Sequence, residues 1–265
     1  RQQPTPGKGK PTGNTQKQTT TEANASVKFI TIDGQDLIQP DGSKLFIKGT
    51  NLGNWLNPEG YMFKLTRTGS ARFINEMFCQ LVGPDFTAEF WKAFKDNYIT
   101  REDIRFIKET GSNTIRLPFH YKLFTDEDYM GLTANQDGFA RIDSVVKWCR
   151  EEGLYLILDM HDAPGGQSGD NIDDSYGYPW LYESETSQQL YCDIWRKIAD
   201  YYKDEPVILG YELLNEPIAH FLENKDELNG KLEGVYKKGV AAIREVDKNH
   251  IVLLGGAQWN SYFKP

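Results

Sequence analysis

Apolar residues in this chain fall into short, nearly continuous runs that alternate with amphipathic stretches. Five runs predict strands: LFIKGTN (45–51), NTIRLPF (113–119), LYLILDMH (154–161), VILGYELLN (207–215) and HIVLLGG (250–256). A strand that is apolar throughout is typical of a parallel sheet covered on both faces. Stretches with helical spacing lie between them, at 99–111, 138–153, 187–205 and 227–249. Gly111 and Gly153 stand where the first two of these helices are expected to end.

This alternation predicts an α/β fold with a parallel sheet, either doubly wound or closed into a barrel. No GxGxxG loop follows the first strand, so nothing supports a nucleotide-binding sheet. A (β/α)8 TIM barrel has eight units in about 250 residues. The pattern contains about five units. We therefore expect the first five β/α units of a (β/α)8 barrel, cut before its last three strands.

Two N-terminal segments lie outside the alternation. Residues 1–26 contain almost no apolar side chains, which predicts a flexible polar linker, because such a segment cannot bury enough surface to offset its ordering entropy. The following stretch, FITIDGQDLIQPDGSKLFIKG (29–49), has short alternating runs separated by DG and PDG. These turn signals predict a β-hairpin that leads into the first strand of the sheet. Residues 27–265 are expected to form one domain.

Composition and charge exclude several kinds of partner. The net charge is −8 and no basic run is interleaved with aromatic residues, so nucleic acid is not expected as a partner. No apolar stretch approaches the roughly 18 residues of a membrane span. Cys79, Cys149 and Cys192 are widely spaced, which favours separate buried thiols over disulfides or a zinc site.

The sequence predicts no metal site and no cofactor. Its four histidines form no HxH or HExxH motif. Asp170, Asp173 and Asp174 could supply oxygen ligands for calcium, but their spacing misses the DxDxDG pattern.

Polar residues collect where the predicted strands end. They are Asn51 with Asn54, Trp55 and Glu59; Arg116; Asp159, His161 and Asp162; Asn215 and Glu216; and Gln258, Trp259 and Asn260. In a barrel the C-terminal ends of the strands meet on one face, where barrel enzymes have their active sites. We therefore expect these residues to surround one mouth.

Each of these residues also has a structural interpretation. Arg116 lies inside an apolar strand, so its charge has to be paired, either with a structural partner or with a catalytic carboxylate. His161 could be a core histidine with satisfied hydrogen bonds. Glu216 could be a helix cap or a catalytic acid, and Pro217 predicts an extended backbone at Glu216.

The loop APGGQSGDNIDDSYGYPWLYE (163–183) is long, rich in glycine and aromatic. Tyr178, Trp180 and Tyr182 offer flat apolar faces beside hydrogen-bonding groups such as that of Asn171. Sugar rings are bound by such combinations. The alternative is that the aromatic rings pack the loop onto its own scaffold.

Taken together, the segments FIKGTNLGNWL, NTIRLPF, LYLILDMHDAPGGQ, ILGYELLNEP and HIVLLGG resemble the first five strands of glycoside hydrolase family 5, in order. These are cellulase-like retaining hydrolases with a (β/α)8 barrel. The resemblance covers about residues 27–265. Within the family, WLNPE and DMHDAPGGQSGDN are most similar to the exo-β-1,3-glucanase branch.

The resemblance implies roles for individual residues. Glu216 matches the general acid/base, Asn215 the residue that contacts the sugar 2-hydroxyl, and Glu59 a contact in the innermost donor subsite. Arg116 and His161 match the family's active-site arginine and histidine. Further expected substrate contacts are Asn54, Asp162, Asn171, Trp180 and Trp259.

The family's nucleophile is a second Glu on strand seven, which has no counterpart before Pro265. Glu212 is a poor substitute, because four residues of extended strand span about 13 Å, whereas the carboxyl pairs of glycosidases are roughly 5–9.5 Å apart. Glu212 is expected in the barrel interior or in a structural ion pair. The isolated 265 residues are therefore expected to have little or no activity.

The predicted function is that of a retaining glycoside hydrolase acting on β-1,3- or β-1,4-linked glucans by double displacement. Secretion or a place at the cell surface fits the substrate and the linker. A non-catalytic carbohydrate-binding or scaffold fragment is the alternative from another class, and a barrel hydrolase that uses a metal is a third possibility.

Overall fold

The computed structural model describes residues 28–131 and 137–264. The predicted linker, residues 1–26, lies outside the described residues. An antiparallel sheet comes first and contains β1 (Thr31–Asp33), β2 (Asp36–Ile38) and β3 (Lys44–Leu45). The predicted hairpin is thereby confirmed.

Five parallel strands form the main sheet. They are β4 (Gly49–Asn51), β5 (Thr114–His120), β6 (Tyr155–Asp162), β7 (Ile208–Glu212) and β8 (Ile251–Leu253). Neighbours in the sheet are also neighbours in the chain. That order is the one a barrel wall has, whereas a doubly wound sheet reverses direction at a switch point.

The helices lie between these strands. They are α1 (Ala71–Val82), α2 (Pro84–Asn97), α3 (Arg101–Glu109), α4 (Asp137–Glu152), α5 (Glu185–Tyr202), α6 (Lys225–Arg244) and the short α7 (Ala257–Asn260). The four predicted helices correspond to α3, α4, α5 and α6. Within the described ranges, no helix combines the length and apolarity that a membrane span needs.

Helices α1 and α2 are not among the four helices that the sequence predicts. Their aromatic side chains recur at helical spacing and pack edge-to-face: the rings of Phe78 and Phe90 are 5.0 Å apart, and those of Phe90 and Trp91 are 5.1 Å apart. Trp91 is fully buried. This aromatic cluster holds the two helices together.

The alternation of side chains along β6 divides the structure into two cores. Leu156, Leu158 and Met160 belong to the large cluster that also contains helix residues such as Trp195. Ile157 instead packs with Ile30, Leu45 and Leu209 in a small cluster. Ile30 and Leu45 come from the N-terminal hairpin segment, so this segment covers one end of the sheet face that carries Ile157 and Leu209. The opposite end of that face carries the polar residues.

Candidate active site

Arg116 on β5 forms the centre of a buried ion-pair network. Its Nε and Nη2 donate hydrogen bonds to the two oxygens of Glu212 on β7, at 2.6 and 2.8 Å. Nη2 also lies 2.9 Å from Oδ2 of Asp159 on β6, a residue with no exposed surface. Burial disfavours the guanidinium charge, but the two carboxylates outweigh it and raise the pKa of Arg116. Glu212 is thus in a structural ion pair, as its distance from Glu216 along the strand suggested.

His161 lies on the same face of β6 as Asp159, two residues away. Its Nδ1 is 2.6 Å from Oδ2 of Asp159 and its Nε2 is 3.4 Å from Oε1 of Glu59. Burial would lower the pKa of His161, but Asp159 and Glu59 raise it to about 10. The two carboxylates thus favour the protonated form of the His161 ring.

Asn215 and Glu216 follow β7 and border this network. Oδ1 of Asn215 accepts a hydrogen bond from Nη2 of Arg116 at 3.0 Å, and its Nδ2 is 3.3 Å from Nε2 of His161. The Glu216 side chain is half-buried, and none of the described residues donates a hydrogen bond to its carboxylate. Burial raises the pKa of Glu216, and the nearby Glu59 adds to this effect against the opposing charge of His161. A carboxyl group with a raised pKa and no internal partner is available to give a proton to a ligand.

The backbone of Glu216 differs from the prediction. Its φ is +42°, in the left-handed region, and not extended as the following proline suggested. Ile218 also has a positive φ, of +55°. Local preference is overridden here by hydrogen bonds to the loop after β6, which fix the chain on both sides of Glu216.

The segment after β4 brings Glu59 to the site through Asn54. The side chain of Asn54 is directed inward, where Oδ1 accepts a hydrogen bond from the backbone N–H of Glu59 at 2.9 Å. Asn54 is only 3% exposed. The structure thus shows Asn54 as a support for Glu59. Tyr61 is not among the expected site residues. Partial burial raises the pKa of its phenol, and the charges of Glu59 and Glu216 add to this effect.

Trp259, in the segment after β8, packs beside the segment that carries Glu216. Its backbone N–H donates to the carbonyl of Pro217 at 3.2 Å, and its ring lies 4.4 Å from that of His220. Trp180, in contrast, is half-exposed and packs against Tyr178, with ring centroids 4.8 Å apart. Asn171 begins a short 3-10 helix, Asn171–Asp173, and its side chain lies outside the described part of the structure.

Asp162 does not join the other site residues. Side chains alternate along a strand, so Asp162 lies on the opposite face of β6 from Asp159 and His161. It is 1% exposed and its Oδ2 is 3.2 Å from Nε2 of His120. Burial raises the pKa of Asp162 well above its ordinary value, and Asp174 adds to this effect. The expectation that Asp159, His161 and Asp162 act together fails because it ignored this alternation.

His120, Asp162 and Asp174 have ligand atoms within 4.8 Å of one another, a spacing that metal ligands can have. Nδ1 of His120 accepts a hydrogen bond from the backbone N–H of Lys122 at 3.1 Å, so Nε2 carries the hydrogen. That hydrogen points to Oδ2 of Asp174 at 2.8 Å. A metal-bound histidine has the reverse arrangement, in which the second nitrogen donates. The geometry is that of a hydrogen-bonded cluster.

The chain matches the family model described as cellulase (glycosyl hydrolase family 5) over residues 77–264. A β-xylosidase of Phanerodontia chrysosporium is 31% identical over 237 residues, which are 89% of this chain and 48% of the relative. An endoglucanase C of Acetivibrio thermocellus is 36% identical over 65% of this chain and 46% of its own length. A glucan 1,3-β-glucosidase of Candida oleophila is 30% identical over 76% of the chain and 48% of its own length.

The chain spans about half the length of the curated relatives it matches. Two solved structures support the fold. The crystal structure of AoRut has a TM-score of 0.67 at 19% identity, over 80% of this chain and 62% of that one. Endoglucanase Cel5A of Thermotoga maritima has a TM-score of 0.51 at 21% identity, over 81% and 52%. The five β/α units are therefore part of a (β/α)8 barrel, and the chain belongs to glycosyl hydrolase family 5.

Proposed function

We propose that the whole protein is a retaining glycosidase that cleaves β-linked glucans and that Glu216 is its general acid/base. The observation that carries this proposal is the half-buried carboxyl of Glu216, which has a raised pKa and lies beside Arg116, His161 and Asn215. Within the described ranges, no residue hydrogen-bonds this carboxyl. The fixed positive charges around it suit the charge changes of acid/base catalysis.

In the first step, a second carboxylate attacks the anomeric carbon of the sugar. The bond from this carbon to the leaving oxygen breaks, and the oxygen takes the proton of Glu216. The product is a glycosyl ester on the enzyme. In the second step, the ionised Glu216 removes a proton from water, the water oxygen attacks the anomeric carbon, and the ester bond breaks. The sugar leaves with its original configuration, and Glu216 is protonated again.

We propose that the nucleophile is supplied by the part of the family's domain that these 265 residues do not span. Asp159 and Glu212 are held by Arg116, and Glu59 lies against His161. Each of these carboxylates is thus already engaged by another side chain of the protein. By this proposal, the 265 residues alone have little or no activity.

The substrate class is proposed from the relatives. Their names include an endoglucanase, a glucan 1,3-β-glucosidase and a β-xylosidase, all of which act on β-linked sugars. We place β-1,3- or β-1,4-linked glucan first. Asn215, Glu59 and Trp259 are proposed to contact the sugar, with Trp180 farther out in the cleft. Because glucan polymers are found outside cells, secretion or a place at the cell surface fits this substrate.

The test uses the whole protein with laminarin, cello-oligosaccharides, mixed-linkage glucan and an aryl β-xyloside. We expect the sugar to be released with its anomeric configuration retained. NMR spectra recorded during the reaction measure this configuration. Glu216→Ala should reduce kcat on oligosaccharides by about 10²–10⁴-fold. Azide should restore turnover of an activated aryl β-glucoside by this variant and yield a β-glycosyl azide. Inverted product, or an unaffected Glu216→Ala variant, would contradict the proposal.

A further inference from the structure

Gln167 is a buried residue in the loop after β6 whose amide group binds the ends of two strands. Its Nε2 donates hydrogen bonds to the backbone carbonyls of His161, at 2.6 Å, and Asn215, at 2.9 Å. Its Oε1 accepts one from the backbone N–H of Ala163 at 3.0 Å. The residue is 1% exposed. Both of its N–H donors are therefore used to connect β6 with the segment that carries Glu216.

The hydrogen bonds from Gln167 flank Glu216 on both sides. The carbonyl of Asn215 belongs to the peptide bond that joins Asn215 to Glu216. On the other side of Glu216, the backbone N–H of Ile218 donates to the backbone carbonyl of Gln167 at 2.9 Å. One buried residue thus fixes the peptide group before Glu216 and the peptide group between Pro217 and Ile218.

This stretch of backbone needs such support. Glu216 and Ile218 have φ values of +42° and +55°. A positive φ is unfavourable for residues with a side chain, most of all for a β-branched one such as Ile218. Such a conformation is strained and persists only where surrounding contacts enforce it. The hydrogen bonds of Gln167 are contacts of this kind.

Gln167 is itself held in place. Its backbone carbonyl also accepts a hydrogen bond from the Tyr182 hydroxyl at 2.9 Å, and Tyr182 is 4% exposed. The backbone N–H of Ala219 is bound in the same way by the carbonyl of Ser168, at 2.7 Å. The loop 163–183 and the segment after Asn215 therefore form one hydrogen-bonded unit.

We propose that Gln167 is a positioning residue that holds the Glu216 segment in its strained conformation and thereby aims the Glu216 carboxyl at the leaving oxygen. This inference rests on the acid/base role proposed above for Glu216. Gln167 touches no substrate. Its effect on the reaction passes through the peptide bond between Asn215 and Glu216.

The experiment compares leaving groups in the whole protein. A phenyl β-cellobioside needs a proton from the general acid, whereas a 2,4-dinitrophenyl β-cellobioside does not. If Gln167→Met misdirects Glu216, kcat/KM should fall about 10–100-fold for the phenyl substrate and less than about threefold for the dinitrophenyl substrate. An equal loss on both substrates, or no loss, would overturn the proposal, because a merely structural role lowers both alike.

Two further variants make the outcomes separable. Glu216→Ala should show the same selective loss, in larger measure. If it does not, the proposed function fails; if it does and Gln167→Met does not, only the role of Gln167 fails. Gln188→Met is the matched control, because Nε2 of Gln188 also donates to a loop carbonyl, that of Leu181 at 2.9 Å, without contact to the Glu216 segment. This control should keep the wild-type ratio of the two substrates.

Gln167→Glu covers the case in which Gln167→Met does not fold. The carboxyl has the shape of the amide and, when protonated, can donate a hydrogen bond to one of the two carbonyls. The loss of kcat/KM on the phenyl substrate, measured against wild type at the same pH, should therefore become smaller as the pH falls. A loss that does not change with pH would overturn the proposal.

Discussion

The guanidinium of Arg116 lies between carboxylates that have little contact with water. Asp159 has a fully buried side chain and that of Glu212 is 15% exposed. Each would be costly to bury without the positive charge. Arg116 therefore has a structural role in addition to its place beside Asn215 and Glu216.

Arg116→Met should destabilise the protein by about 3–5 kcal/mol, because it leaves the largely buried Glu212 without its counter-charge and removes one of the two partners of Asp159. The free energy of unfolding by urea measures this. Arg105→Met is the matched control: the Arg105 side chain is 50% exposed, and its ion pairs with Glu102 and Glu109 are on the surface. Its effect should stay within about 0.5 kcal/mol. Equal effects of the two variants would contradict this account.

His161 predicts a dependence of stability on pH. Its pKa in the folded protein is raised to about 10, against about 6.5 in an unfolded chain. Because the folded state holds the proton more tightly, this contribution is complete below pH 6.5. It is lost as the pH rises toward 10, at up to about 1.4 kcal/mol per pH unit.

Urea unfolding between pH 6.5 and 9.5 tests this dependence. Wild type should lose stability more steeply with rising pH than His161→Gln, and the difference between the two isolates the imidazole. His220→Gln should keep the wild-type slope, because His220 is exposed. Parallel curves for wild type and His161→Gln would show that His161 is not charged in the folded state.

At the level of elements, the N-terminal hairpin segment is an integral part of the barrel. Ile30 is 2% exposed and packs with Leu45, Ile157 and Leu209, whereas Ile32 in the same segment is 60% exposed. Ile30→Ala should therefore cost about 2–5 kcal/mol, and Ile32→Ala less than about 0.5 kcal/mol. Thermal and urea unfolding of the two variants measure the difference. A similar small loss for both would mean that the hairpin is not needed to close this end of the sheet.

The strands and the helices α3 to α6 were predictable from the sequence. Each strand is a nearly continuous apolar run, and each of these helices has apolar residues at helical spacing. Helices α1 and α2 were not predictable, since many of their apolar positions are aromatic, and aromatic residues do not by themselves distinguish a helix from a loop. The positive φ of Glu216 could not be predicted either. It depends on Gln167, which is 49 residues away in the chain, and local rules do not include such a contact.

The part of the candidate site that lies at the ends of strands was predictable from the sequence. Arg116, His161, Asn215 and Glu216 do lie together, because parallel strands in chain order bring their C-terminal ends to one edge. Asp162 does not lie with them because side chains alternate along a strand, so a position at a strand end does not fix the face on which the side chain lies. The sequence does mark Gln167, because it is a polar residue in a glycine-rich loop directly after a strand that carries site residues.

At the scale of the whole molecule, the described part of the chain contains an acid/base candidate but no carboxylate suited to act as nucleophile. Three carboxylates near Glu216 are held by Arg116 or His161. We therefore attribute the nucleophile to the part of the family's domain that lies outside these residues.

The 265 residues alone should hydrolyse 2,4-dinitrophenyl β-cellobioside at least about 100-fold more slowly than the whole protein. Loss of this leaving group needs no acid, so kcat/KM for this substrate depends on the nucleophile and not on proton transfer from Glu216. Circular dichroism would establish that the isolated chain is folded. Turnover equal to that of the whole protein would contradict the prediction, and the variant Glu59→Gln would then show whether Glu59 is the nucleophile. Glu59 is the carboxylate to test because its contact with His161, at 3.4 Å, is longer than the contacts that hold Asp159 and Glu212.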